Sequence, residues 1–288
     1  MKPTQRLKGI ACSKLTVELE YRENKLFILD EVFHCMNEGI SAFYDNMSEY
    51  YHLIFADWQS SVDRQATIFD RLLEVNGMTK RHSILDCACG IGTQALGLAK
   101  LGYHVSGSDI SKNEIERAIK EADVRNLHID FKQADFSNLQ LAFNQSFDIV
   151  MAIDNALPHL IHKEDLKQAL MSIYSTVNDN GIFIASIRDY DEILKTKPTC
   201  PTPYIIPTPT GKRIAFQLWD WNEDVYHFTQ YIIEDENEDL HTHKFSCSYR
   251  AITRIELTQE LETAGFREVE WLFAEKSGFY QPIVIATK

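Results

Sequence analysis

The chain has 288 residues, 44% of them apolar and 25% charged, with a formal net charge of −13 at pH 7. Such a chain buries a good core as one domain, or one domain with a subdomain, and no apolar run reaches the roughly 18 residues of a membrane span. The acidic balance excludes nucleic acid and anionic membrane as expected partners, since no basic stripe neutralises phosphates; it suits an enzyme of small molecules and leaves room for a homo-oligomer.

Residues 1–35 share no pattern with the rest and read as an N-terminal extension to which the sequence assigns no role; Met36 opens a segment that reads as a start. No secretory h-region precedes it, so the cytoplasm is the expected compartment. Residues 36–194 read as a cofactor-binding core. Over 61–75, Val62, Ala66, Phe69, Leu72 and Leu73 recur at helical spacing. An apolar strand then runs from Ser83 into the turn Gly90-Ile-Gly92, which opens a helix near 93–100. Glycine permits the tight turn, and the first amides of the helix can receive an anionic group. The next strand, 103–108, leads to Asp109, about 20 residues past the turn, where Rossmann-like folds put a ribose-binding acid. Ser111 and Glu114 form a capping box for a helix to about residue 124. A strand at 129–133, the segment Ala134-Asp135-Phe136, a buried strand at 147–153, a helix at 163–177 stopped by Asn180-Gly181, and a strand at 182–187 follow. This alternation predicts a parallel sheet with helices on both faces.

Residues 195–250 change character. Pro198, Pro201, Pro203, Pro207 and Pro209 exclude a helix or central strand and read as a linker. Candidate strands at 213–221, 225–234 and 241–250 then suggest an antiparallel meander acting as a substrate or lid subdomain. Trp219, Trp221, Phe228 and Tyr231 read first as its core; any that face the cleft would offer ring faces to a cation. Residues 251–288, with a helix at 256–264 and strands at 268–273 and 282–287, return to the main sheet. The cysteines at 12, 35, 87, 89, 200 and 247 have neither disulfide nor zinc spacing, and His241-x-His243 reads as two exposed strand residues, so reduced thiols and no metal are expected.

The pattern Gly90-x-Gly92-x-x-Ala95 also satisfies a dinucleotide fingerprint, so the glycines alone leave nicotinamide and S-adenosylmethionine open. More specific are Tyr51-His-Leu-Ile-Phe-Ala-Asp-Trp58, Asp154-Asn-Ala-Leu-Pro-His-Leu160, Ser186-Ile-Arg-Asp-Tyr-Asp191 and Ser277-Gly-Phe-Tyr-Gln-Pro282. With these, residues from about 43 to 288 resemble class I S-adenosylmethionine-dependent methyltransferases, and among them glycine and microbial glycine/sarcosine N-methyltransferases, although Ala88 stands where most members have glycine. The resemblance implies an α/β, Rossmann-like sheet with helices on both faces and a small antiparallel meander covering the active-site end. It implies S-adenosylmethionine as co-substrate, a small amino-acid acceptor, and N-methylation of glycine or sarcosine of the betaine-synthesis type.

By the same resemblance Asp109 would hold the ribose, Asp135 and Phe136 the adenine, Ala88 and the Gly90 turn the methionine moiety, and Arg64 the methionine carboxylate. Tyr44, Asn155, His159 and Arg188 would line the acceptor pocket. Read as residues, Arg188 offers a planar fork to a carboxylate, or else a salt bridge to Asp189 or Asp191. Asn155 is expected to orient the amine and Tyr44 the methyl end, while His159 is either a pocket residue or a structural histidine. No residue stands out as a general base. The rival readings are a methyltransferase for another small carboxylated amine or a phenol, a nicotinamide oxidoreductase, and a non-catalytic adenosine-binding module.

Overall fold

The computed structural model describes residues 19–22, 25–28, 36–236 and 239–288. Most of the expected N-terminal extension, Cys12 and Cys35 lie outside the described residues. The chain divides into two compact units, Met1–Ile40 and Ser41–Lys288. In the first, β1 (Leu19–Arg22) and β2 (Lys25–Ile28) form an antiparallel hairpin with Leu19 opposite Ile28. A helix, α1 (Met36–Met47), leads into the second.

The second unit begins its regular alternation with α2 (Trp58–Val75), capped by Asp57, whose carboxylate accepts from the Ser60 amide. Then come β3 (Ser83–Asp86), α3 (Thr93–Lys100), β4 (His104–Asp109), α4 (Lys112–Asp123), β5 (Asp130–Gln133), α5 (Leu139–Phe143), β6 (Phe147–Ala152), α6 (Lys163–Thr176) and β7 (Val177–Ser186). After α7 (Tyr190–Thr196), the strands β8 (Tyr204–Thr208), β9 (Gly211–Asn222), β10 (Val225–Glu236) and β11 (Asp239–Arg250) form an antiparallel meander in that order. The chain closes with α8 (Arg254–Ala264), β12 (Arg267–Leu272), α9 (Ala274–Ser277) and β13 (Ile283–Thr287).

The main sheet runs β12-β13-β7-β6-β3-β4-β5. Its strands are parallel from β7 to β5, and β13 lies antiparallel against β7. Ile84, Leu85, Ile149, Val150, Phe183 and Ile184 are fully buried, as expected of central strands covered on both faces. Chain order reverses between β3 and β6, so a crevice opens at their carboxyl ends, where open α/β sheets bind ligands. The Gly90 turn follows one of these strands and Asn155 the other. This is the Rossmann-like methyltransferase architecture expected from the sequence.

Local details differ from expectation for physical reasons. The proline-rich stretch contains β8, an edge strand in which Pro207 stands opposite Lys212; an edge position tolerates the missing amide. Asn180-Gly181 does not stop α6. The helix passes directly into β7 at Val177, and Asn180, at φ 62°, and Gly181 mark a register shift inside the strand. A Cβ at Gly181 would lie 2.7 Å from the Asp148 carbonyl oxygen. The capping box is half made: Ser111 Oγ accepts from the Glu114 amide, but the Ser111 amide donates to Asp109 Oδ1. Among the described residues no helix is long and apolar enough to cross a membrane.

Candidate active site

The turn after β3 is built from glycines in left-handed backbone, Gly90 at φ 52° and Gly92 at φ 91°. A Cβ at Gly90 would reach to 3.4 Å from Glu114 Oε2. The Gly90 amide donates to Asp109 Oδ2 at 2.9 Å. Asp109 Oδ1 accepts from Ser111 at the same distance, so its carboxylate locks the turn to the end of β4 while each oxygen keeps a lone pair. The Ala134 amide donates to the Asp109 carbonyl, which brings Asp135 and half-buried Phe136 beside this carboxylate. Asp135 Oδ1 accepts from the Ser137 amide at 2.8 Å. Ala88, partly exposed, lies on the turn itself.

Three further carboxylates border this turn. Asp86 and Glu114 are fully buried; the Glu114 oxygens have no hydrogen-bond partner among the described residues, while the Ala88 and Ala95 amides act on Asp86 only weakly. Burial, with the charges of Asp154 and Asp109 beside it, pushes Asp86 up to about 8, and burial raises Glu114 well above its ordinary value. Asp154 accepts from Gln94 Nε2 and from the Tyr280 hydroxyl, both at 2.8 Å. Burial disfavours the charged forms of Asp86 and Glu114, so the charge that borders the turn near neutral pH rests on Asp109. The expected co-substrate, S-adenosylmethionine, fits these residues: each Asp109 oxygen keeps a lone pair for a ribose hydroxyl, and the Glu114 oxygens beside the turn have no hydrogen-bond partner among the described residues.

These acids give the ligand-free protein a pH dependence. Between its unfolded value of about 3.9 and the folded value near 8, Asp86 is charged only in the unfolded chain, so stability falls as pH rises, by about 1.4 kcal/mol per unit. Glu114 acts in the same direction. His159, lowered to about 3 by burial, acts oppositely, but only below its unfolded value of about 6.5. From pH 7 to 8 the raised acids and, more weakly, the buried thiols act in one direction: urea titration should show a loss of about 1 kcal/mol or more, and a shallower slope in Asp86→Asn. An unchanged slope in the variant would exclude Asp86 as its source.

At the other side of the crevice, Asp154 and Asn155 take consecutive left-handed conformations, φ 58° and 68°, at the end of β6. Asn155 Oδ1 accepts from the Arg188 amide at 3.0 Å, which fixes the amide orientation and leaves the buried Nδ2 without a partner. The group Asn155 has wholly to spare is therefore a donor, suited to a carboxylate oxygen, while Oδ1 keeps a second lone pair. Arg188 donates from Nη1 to the Tyr226 hydroxyl at 2.6 Å and from Nη2 to Gln217 Oε1 at 3.1 Å. Its guanidinium lies 4.9 Å from the Trp219 ring centre and 5.1 Å from that of Tyr249. The alternative salt bridge is not made: Asp189 and Asp191 both pair with Arg254. Among the described residues no carboxylate lies within ion-pair distance of Arg188.

His159 is committed on both ring nitrogens. Nε2 meets the Tyr44 hydroxyl at 2.7 Å and Nδ1 the Ser248 carbonyl at 3.2 Å. A carbonyl only accepts, so the proton sits on Nδ1 and Tyr44 donates to Nε2. The ring holds Tyr44 and ties the β6 end to β11, leaving no nitrogen for a ligand; its expected place among the catalytic residues is corrected accordingly. Arg64 is a second correction. It is exposed on α2, because the buried stripe Ser61, Val62, Gln65, Ala66 and Phe69 turns the neighbouring Gln65 inward, where Gln65 Oε1 accepts from Gln94 at 2.7 Å. Trp219 gives its ring face to Arg188, not to the cleft, while Tyr231 stacks on Phe216. Sequence reading missed Asp86, Asp154, Gln217, Tyr226, Tyr249 and Tyr280 as site residues. Of these, Asp86, a strand-end acid before the glycines, left a local signal, and Asp154 and Tyr280 lay within two of the specific segments; Gln217, Tyr226 and Tyr249 left none. Cys87 and Cys89 are buried free thiols pushed up by burial, and His243 pairs with Glu234 and stacks on Tyr50.

Residues 84–181 match the profile of a methyltransferase domain. A glycine/sarcosine N-methyltransferase of Parasynechococcus marenigrum (strain WH8102) is 31% identical over 165 residues, 57% of this chain and 56% of that protein. A glycine N-methyltransferase of Oryctolagus cuniculus is 26% identical over 220 residues, 69% of this chain and 70% of that protein. The chain thus spans little more than half the length of the first of these relatives. Among solved structures, an S-adenosylmethionine-dependent methyltransferase from Clostridium acetobutylicum ATCC 824 superposes with a TM-score of 0.66 at 14% identity, over 86% of this chain and 97% of that one, a likeness of fold. The chain has the class I methyltransferase fold, residues 84–181 match a methyltransferase domain, and the resemblance to the glycine and glycine/sarcosine N-methyltransferases is borne out.

Proposed function

We propose that the chain is an S-adenosylmethionine-dependent N-methyltransferase whose acceptor is a small carboxylated amine, glycine and sarcosine before others. Arg188 carries this reading: a guanidinium among Tyr226, Gln217, Trp219 and Tyr249 has neutral partners only, and an acceptor carboxylate would supply the missing anion. The spare Nδ2 of Asn155, whose Oδ1 is bound to the Arg188 amide, would donate to the same carboxylate.

S-adenosylmethionine supplies an electrophilic methyl: the amine lone pair forms the N–C bond as the C–S pair passes to sulfur, leaving a neutral thioether. The protein aligns the two reactants, and alignment at contact distance is a large effect in itself. Arg188 and Asn155 fix the carboxylate, so the amine stands at a set distance from them. Tyr44, its proton given to His159, turns oxygen lone pairs toward the methyl end. Asp109, Asp135 and Phe136 hold the nucleoside. A phenol acceptor leaves Arg188 without an anion, and a nicotinamide dinucleotide brings its pyrophosphate to a turn whose Gly90 amide is already given to Asp109; both readings are weaker for it.

Mass spectrometry of products from glycine, sarcosine and dimethylglycine tests the proposal. We expect added methyl groups on one or more of these, with S-adenosylhomocysteine formed in equal amount and little transfer to amines that lack a carboxylate. Equal transfer to ethylamine and glycine would remove the role of Arg188, and reduction of NAD by an alcohol would replace the reading.

A further inference from the structure

We propose that Asp154 is the group that takes the proton from the acceptor amine. The inference rests on the amine-methylation reading above and deepens it. Near neutral pH an amino acid arrives as an ammonium with no lone pair, so the cleft needs a proton acceptor before methyl transfer. His159 is excluded by its occupied nitrogens, and Tyr44 donates its own proton to that ring. Asp86 and Glu114 are fully buried, and both oxygens of Asp109 accept backbone amides. Asp154 keeps accessible surface.

Its position joins the two halves of the site. Asp154 precedes Asn155, whose amide group contacts the Arg188 backbone, and Oδ2 accepts from Gln94 in the first turn of α3, the helix opened by the glycine turn. Oδ1 accepts from Tyr280, and each oxygen has a lone pair to spare. The left-handed backbone is held by two bonds to Ser186, from the Asp154 amide to Oγ at 2.8 Å and from the Asn155 amide to the carbonyl at 3.1 Å. Conformations of this kind persist where surrounding structure enforces them, and they concentrate at functional sites. Asp86 from β3, Tyr51 from the helical turn Tyr51–Ile54, Tyr280 and Gln94 face this carboxylate, and the field of Arg188 reaches Tyr280. The ammonium N–H bond breaks toward Asp154, which becomes a carboxylic acid. The freed lone pair then forms the N–C bond, and the proton leaves to water with the product.

Asp154→Asn keeps a residue that tolerates positive φ and removes the base. With glycine at pH 7 its kcat/KM should fall by about 100-fold or more, with S-adenosylhomocysteine affinity by calorimetry unchanged. The deficit should shrink at a pH where the free amine is already unprotonated. Tyr280→Phe keeps the carboxylate but removes a hydrogen bond that favours its charged form, so the acid limb of the kcat/KM profile should move to higher pH; this variant decides the matter if Asp154→Asn does not fold. Full activity in Asp154→Asn, a deficit equal at every pH, an equal loss of S-adenosylhomocysteine affinity, or an unmoved acid limb in Tyr280→Phe would overturn the inference alone. A wild-type protein that binds S-adenosylhomocysteine but methylates no amino acid would overturn the acceptor reading and this one with it.

Discussion

Replacing Arg188 with alanine or lysine should lower kcat/KM for the amino-acid acceptor by about 10- to 150-fold, the loss of a charged hydrogen-bonded grip worth about 1.5–3 kcal/mol. Lysine is no rescue. The guanidinium is steered by Tyr226 and Gln217 and lies between the Trp219 and Tyr249 rings, so its plane is set before any ligand arrives. An ammonium offers neither the planar fork nor the stacking face. Because the contacts of Arg188 lie on the meander and the β6 end, not on the glycine turn, S-adenosylhomocysteine affinity should stay near wild type. Acceptors without a carboxylate should be poor substrates of the native protein and lose little more in the variants. If Arg188→Ala instead weakens the nucleoside as much as turnover, or unfolds the chain, the residue is a structural link between the sheets and the carboxylate is held elsewhere.

The parts of this site that were legible in the sequence are those whose signal is local. A strand, a glycine turn, a helix and a strand-ending acid are consecutive, and backbone geometry forces their arrangement; Asp109 could be placed beside the turn without the fold. Arg188 and Asn155 were legible as strand-end residues. Their partners were not, because Tyr226, Gln217, Trp219 and Tyr249 come from a meander whose register no short-range pattern specifies. The same limit hid Asp154, whose meaning depends on Tyr280, 126 residues away. Arg64 was misassigned for another reason. The apolar positions Val62, Ala66 and Phe69 already set the phase of α2, and on that phase residue 65 points inward and residue 64 outward. The proline-rich stretch was read as linker because proline removes a ladder amide; at the edge of a sheet that amide has no partner to lose.

Asp109→Ala should weaken S-adenosylhomocysteine by about 1.5–3 kcal/mol, or about 10- to 150-fold in Kd, through lost hydrogen bonds to the ribose hydroxyls. The residue has a second duty that enlarges the effect. Its two oxygens satisfy the Gly90 and Ser111 amides, so alanine also leaves two donors unpartnered and loosens the turn that carries the methionine end. Stability should fall as well, by about 1–3 kcal/mol for each donor that water does not reach. Measuring both quantities separates the duties: Asp109→Asn keeps the size of the side chain but sets an NH2 against one of those amides, and should disturb the turn while retaining one acceptor oxygen. The wild-type affinity carries its own signature. Burial pushes Asp109 up to about 6, against the amides that favour its charge. On the proposed role the ribose hydroxyls would bind the charged carboxylate, and ligand binding would release a proton below that value. Kd should therefore rise several-fold as pH is lowered from about 7 to about 5, and this dependence should be absent in Asp109→Ala. Calorimetry of S-adenosylhomocysteine across that range, with the same pH dependence in both proteins, would detach the ribose from Asp109 and leave it as the clasp of the glycine turn alone.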